Sequence, residues 1–142
     1  MSENDISEMF QSESQKLENL IKSAESKPEL SIHEIVETYY QVMNVSSMSS
    51  MLKQQNQTNE NSGLNEKIQT MEKIISETFN SNIHPKITKQ LSDSIEEITK
   101  NLQSKNSQDK TKEDIQSESK KYDELRKVMS TKEFVKQYDD GL

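Results

Sequence analysis

The chain has no cysteine and no tryptophan, and its 142 residues include only two glycines and two prolines. Without cysteine there is no disulfide framework, no thiolate metal ligand and no cysteine nucleophile, a composition compatible with a reducing compartment. So few glycines and prolines, with aromatic residues at 5%, leave little material for the tight turns and aromatic faces that sheets use. No long apolar run is present either. The least charged stretch, residues 38–52, is too short and too rich in serine to cross a bilayer. The opening residues MSENDISEMFQSES are acidic where a secretory or mitochondrial leader would be basic. The expectation is an intracellular protein of cytoplasm or nucleus, with no membrane insertion.

What is present includes many residues that favour helix, Glu, Lys, Gln, Leu and Met, so the predicted fold class is all-α. Leu, Ile, Val and Phe together number 29, about a fifth of the chain, close to the composition at which chains cease to fold alone. Completion of the core by partner chains is therefore expected. Eighteen basic against 25 acidic residues give a net charge of −7, which disfavours phosphate backbones and anionic lipid as partners.

The longest sustained helical periodicity lies at residues 64–102. Leu64, Ile68, Met71, Ile75, Phe79, Ile83, Ile87, Leu91, Ile95, Ile98 and Leu102 follow one another at intervals of three or four. Pro85 cannot donate an amide hydrogen and disfavours helix at His84, so NSNIHP, residues 80–85, predicts a kink or short turn between two helices. Beyond it the steps of four from Ile83 to Ile95 depart from a heptad, which argues against an uninterrupted two-stranded coiled coil.

Upstream, residues 5–27 form a thin apolar stripe through Ile6, Met9, Phe10, Leu17, Leu20, Ile21 and Ala24 on an otherwise acidic segment. Pro28 ends it. Ser31 and Glu34 then form a capping box, with Leu30 and Ile35 placed to staple across the start of a second helix near Ile32. The short connection predicts an antiparallel hairpin over residues 1–53, fraying through the serines of 45–52. Residues 54–63 and 104–112 are polar and predict two flexible connectors, flanking a central kinked seam at 64–103. Residues 113–142 are predicted to hold two helices, because Ser130 and Glu133 repeat the capping-box spacing and Gly141 is placed to terminate the last one. The architecture expected is an elongated, coiled-coil-like helical bundle.

No pattern in the chain carries chemistry. Of the two histidines, His33 has Glu37 four residues on but no third ligand within local reach, so no metal site is assigned. The carboxylate pairs Glu96 and Glu97, Asp123 and Glu124, and Asp139 and Asp140 are adjacent residues. On a helix these point about 100° apart and do not converge. There is no phosphate loop, nucleophile elbow or dinucleotide fingerprint, and no catalytic residue or cofactor is predicted. Lys120, Lys121, Arg126 and Lys127 are interleaved with acidic residues, which favours ion pairs over direct nucleic-acid binding. The expected role is that of a non-catalytic helical subunit binding partner helices, with a self-associating adaptor or autonomous bundle as the alternative. Its main contact row is expected at Ile68, Ile75, Phe79, Ile87, Leu91, Ile95 and Ile98, and a second row at Ile35, Tyr39 and Val42.

Overall fold

Residues 27–31 reverse the chain between its first two helices, and their chemistry explains where the second begins. The Glu34 amide donates to Ser31 Oγ at 3.1 Å and the Ser31 amide donates to Glu34 Oε1 at 3.0 Å, the reciprocal bonding of a capping box. The Lys27 ammonium donates to the other Glu34 oxygen. This ammonium bond first, and the Ser31 amide next, hold the Glu34 carboxyl down to about 2 from an ordinary 4.5. Leu30 and Ile35 are both buried beside this start, as a hydrophobic staple requires.

The computed structural model describes residues 3–55, 62–104 and 112–140. Helix α1 is Glu3–Ser26, α2 Ile32–Gln55 and α3 Ser62–Lys73. A π-helical segment, Ile74–Ile83, follows, then α4, His84–Ser104, and α5, Lys112–Asp139. The fold is all-α, with no strand among the described residues. Two compact units are present, residues 1–85 and 86–142, so the division falls inside the stretch that the sequence presents as one central seam.

In the first unit α1 and α2 pair as an antiparallel hairpin. Gln41 Nε2 reaches from α2 to the Glu13 carbonyl at 2.8 Å and to Glu13 Oε2 at 2.7 Å. That side-chain bond is the chief cause of a lowered pKa at Glu13. Helix α3 closes the arrangement, tied to α2 by Lys53 and Glu72 at 2.6 Å and to α1 by Lys67 and Glu18 at 3.4 Å. Phe10, Leu17, Ile35, Tyr39, Ile68 and Phe79 are among the side chains buried here. Burial also carries α2 through the serine-rich stretch expected to fray: Val45, Met48 and Leu52 are inside, and the helix runs on to Gln55. Ser14 and Ser49 are buried with hydroxyls that have no hydrogen-bond partner.

No turn separates the two parts of the central seam. Helical backbone passes from the π-helical segment directly into α4, where the His84 amide donates to the Phe79 carbonyl five residues back. Ser81 Oγ likewise donates to the Ser76 carbonyl, five residues back, at 3.2 Å. The spacing explains the wider winding. Met71, Ile75, Phe79, Ile83, Ile87 and Leu91 step by four, and at 3.6 residues per turn each such step drifts about 40° around the helix. Over the three steps within the first unit an unbroken α-helix would put Met71 and Ile83 about 120° apart. Met71, Ile75, Phe79 and Ile83 are all buried. Winding at five-residue hydrogen bonds absorbs the drift, and Pro85 falls where that winding gives way to α4.

In the second unit, one helix, α5 (Lys112–Asp139), stands where two were expected. Ser130 does not start a new helix: Thr131 lies within α5, its hydroxyl donating to the Lys127 carbonyl at 2.7 Å, and Val128, Thr131 and Val135 share a buried face. Of the expected connectors, Gln54 and Gln55 belong to α2, Ser62 and Gly63 to α3, Ser104 to α4 and Lys112 to α5. The rest of both, and Gly141, lie outside the described residues.

Candidate interaction surface

The ten residues expected to face partners divide sharply. Ile35, Tyr39, Val42, Ile68, Ile75, Phe79, Ile87 and Leu91 are all buried within the single chain, whereas Ile95 and Ile98 are only half-buried. The second row, on α2, is thus part of the chain's own interior. Tyr39 stands edge-on to Phe79 with ring centroids 5.1 Å apart, and its hydroxyl is hydrogen-bonded to His84 Nδ1. Phe79 and His84 rings lie 6.2 Å apart, so the three rings form one cluster at the end of the π-helical segment.

Of the large apolar side chains exposed among the described residues, Met9 lies on α1, Tyr40 and Met51 on α2, and three on α5. Ile115, Tyr122 and Met129 are 55%, 49% and 51% exposed, at intervals of seven residues. Seven residues bring a helix nearly to the same azimuth, so these three form a stripe, roughly opposite the buried face of Val128 and Val135. Helix α5 is therefore apolar on two sides. That geometry hides it from a search for one amphipathic face, although the seven-residue interval is visible in the sequence.

Between α4 and α5 lie two clefts. One of ≈ 200 Å³ is lined by Ser94, Glu97, Ile98 and Asn101 with Lys121, Glu124 and Val128. The other, ≈ 510 Å³, has Ile95 of α4 facing Met129, Ser130, Lys132, Glu133 and Lys136 of α5. Asn101 shares a cleft with Lys121 and Ile95 one with Lys136, so the two helices run antiparallel. The half-buried ends of the expected contact row thus form part of the walls of open grooves.

The sequence-level metal candidate does not grow beyond two residues. His33 Nε2 is 3.3 Å from Glu37 Oε2 on the exposed side of α2, and no group of three or more candidate ligands occurs among the described residues. No helix among them is long and apolar enough to cross a membrane. Comparison with protein families, with curated proteins and with solved structures finds no match.

Proposed function

We propose that the chain is a non-catalytic helical subunit of a larger intracellular protein assembly and that it binds partner helices through its second unit. The observation that carries this reading is the placement of uncovered apolar surface. Residues 1–85 bury most of their apolar stripes on one another and leave Met9, Tyr40 and Met51 exposed, while α5 presents Ile115, Tyr122 and Met129 along one line and α4 leaves Ile95 and Ile98 half-buried. Single exposed apolar residues are ordinary, but a stripe repeated at seven-residue intervals beside an open helix-lined groove has the form of a helix-docking face. Location in cytoplasm or nucleus belongs to the same proposal and rests on the sequence composition.

The test is the size of the particle in its native setting. Sedimentation of the chain in extracts of the cells that make it, beside the purified 16.5 kDa protein, reports whether it is held in a complex. A particle several times larger, reduced to the size of the free chain by Tyr122→Glu with Met129→Glu, is the expected result. A chain that sediments in extract as it does alone refutes the proposal.

A further inference from the structure

Exposed apolar side chains occur in both units, Met9 on α1, Tyr40 and Met51 on α2, and Ile115, Tyr122 and Met129 on α5. What sets α5 apart is the charge beside them. At about 100° per residue, eighteen residues make five turns, so Asp114 and Lys132 share one position on the wheel of α5, and Glu118 and Lys136 share another about 40° away. All four lie on the same side of the line through Ile115, Tyr122 and Met129. Half-buried Leu125 lies on that side too, midway along the chain between the acidic pair and the basic pair. The edge is thus acidic toward the start of the helix and basic toward its end. Lys121 is further round and lines the smaller cleft facing α4. Lys132 and Lys136 are exposed, and neither forms an ion pair with a described residue.

We propose that α5 pairs with α5 of a second copy of this chain, antiparallel, about a two-fold axis at Leu125. The inference rests on the reading of the second unit as a helix-docking face and names the occupant of that face. A two-fold antiparallel pair sets the same edge of both helices side by side with their directions reversed, so the acidic end of each edge meets the basic end of the other. Centred at Leu125, the pairing brings Glu118 opposite Lys132 of the second copy and Asp114 opposite its Lys136, twice over. Leu125 meets its own counterpart at the axis. Tyr122 falls within one residue of the level of Met129 of the second copy, so these exposed side chains cover one another. Met129 also lines the larger cleft opposite Ile95, so the incoming tyrosine lies beside that cleft. On the other edge Arg126 comes near its own counterpart, and Asp123 at 3.2 Å in the same chain offsets its charge. The apolar and the charged residues are satisfied at one register, and α5 supplies both sides of it.

The purified chain tests this, and its lack of cysteine makes the orientation readable. Sedimentation equilibrium at low salt should give twice 16.5 kDa. Lys132→Glu with Lys136→Glu should weaken the dimer at least about tenfold, since four attractive contacts become repulsive, and adding Asp114→Lys with Glu118→Lys should restore it. Circular dichroism checks that each variant keeps the helix content of the parent. Oxidation of single-cysteine variants then reads the register. Leu125→Cys should give a disulfide-linked dimer and Ile115→Cys should not, because the two Ile115 positions lie about 30 Å apart along an antiparallel pair. An equal mixture of Glu118→Cys and Lys132→Cys should link one to the other. A monomeric chain refutes the proposal. So does a dimer that links through Ile115→Cys and not through Leu125→Cys, and so does one that charge reversal leaves intact. Failure here is distinct from failure of the subunit reading: a purified monomer that sediments in extract within a larger particle refutes the pairing alone, and a dimer that sediments alike in both refutes that reading alone.

Discussion

Deleting one residue from the middle of a buried helix ordinarily destroys it, and the π-helical segment predicts an exception. Asn82 is exposed and lies between Phe79 and Ile83. Removing it shortens the interval between those two from four residues to three. The span from Met71 to Ile83 then falls by one residue, and their separation around a plain α-helix falls from about 120° to about 20°. That is well within the width of an ordinary buried stripe, so the shortened segment can wind as α-helix and keep the same four apolar side chains inside. The control is deletion of exposed Ser47 from α2, which turns Met48, Ser49 and Leu52 about 100° away from their sites. Losing the burial of Met48 and Leu52 alone costs about 3–6 kcal/mol. Urea unfolding followed by circular dichroism compares the two. The Asn82 deletion should stay within about 1.5 kcal/mol of the parent, the range of a tolerated repacking, while the Ser47 deletion should lose several times more. Equal losses would refute the reasoning, because the wide winding would then be a fixed need of the packing and not one absorbed residue.

Three other expectations concern the first unit. Tyr39→Phe removes the hydroxyl that reaches His84 and should cost about 1 kcal/mol by denaturant unfolding; no loss would mean that the bond is as well made with water. Glu34 titrates lower in the folded chain than its ordinary 4.5, so the stability it contributes is present above that value and disappears as pH falls through about 2. Acid unfolding profiles should therefore differ between the parent and Glu34→Gln over this window, and superimposable profiles would contradict the assignment. Ser49→Ala removes a buried hydroxyl without a partner and adds helix propensity, so it should raise the melting temperature or leave it unchanged, and a lower value would reveal a hidden partner.

How much of this was readable in the residues depends on the range of the interaction. The Ser31 and Glu34 pair is local, and its bonding follows from a three-residue spacing alone. The same spacing at Ser130 and Glu133 forms no helix start, because Val128 and Val135 bury on one face and a continuous helix is the way to place both. The apolar row from Ile68 to Leu91 was legible as a row, and its partner was not. Periodicity says that a face is covered, not whether the cover comes from the same chain, and the structure supplies α1 and α2 against its first part. The steps of four from Ile83 to Ile95 did signal a departure from a heptad. The wider winding over Ile74–Ile83, in place of a turn at residues 80–85, keeps Phe79 against Tyr39, a contact 40 residues apart in sequence that no local pattern encodes.

The tyrosine at the centre of that cluster has an optical consequence. Because tryptophan is absent, the near-ultraviolet circular dichroism of this protein comes from its tyrosines and phenylalanines. Tyr39 is fully buried among other rings, while Tyr40 and Tyr122 are exposed and Tyr138 is half-buried. An asymmetric, immobile environment is what gives an aromatic ring its signal. The tyrosine band is therefore dominated by residues 1–85, and the far-ultraviolet band counts helix in both units. The two wavelengths together let the unfolding of one unit be told from that of the other without a label.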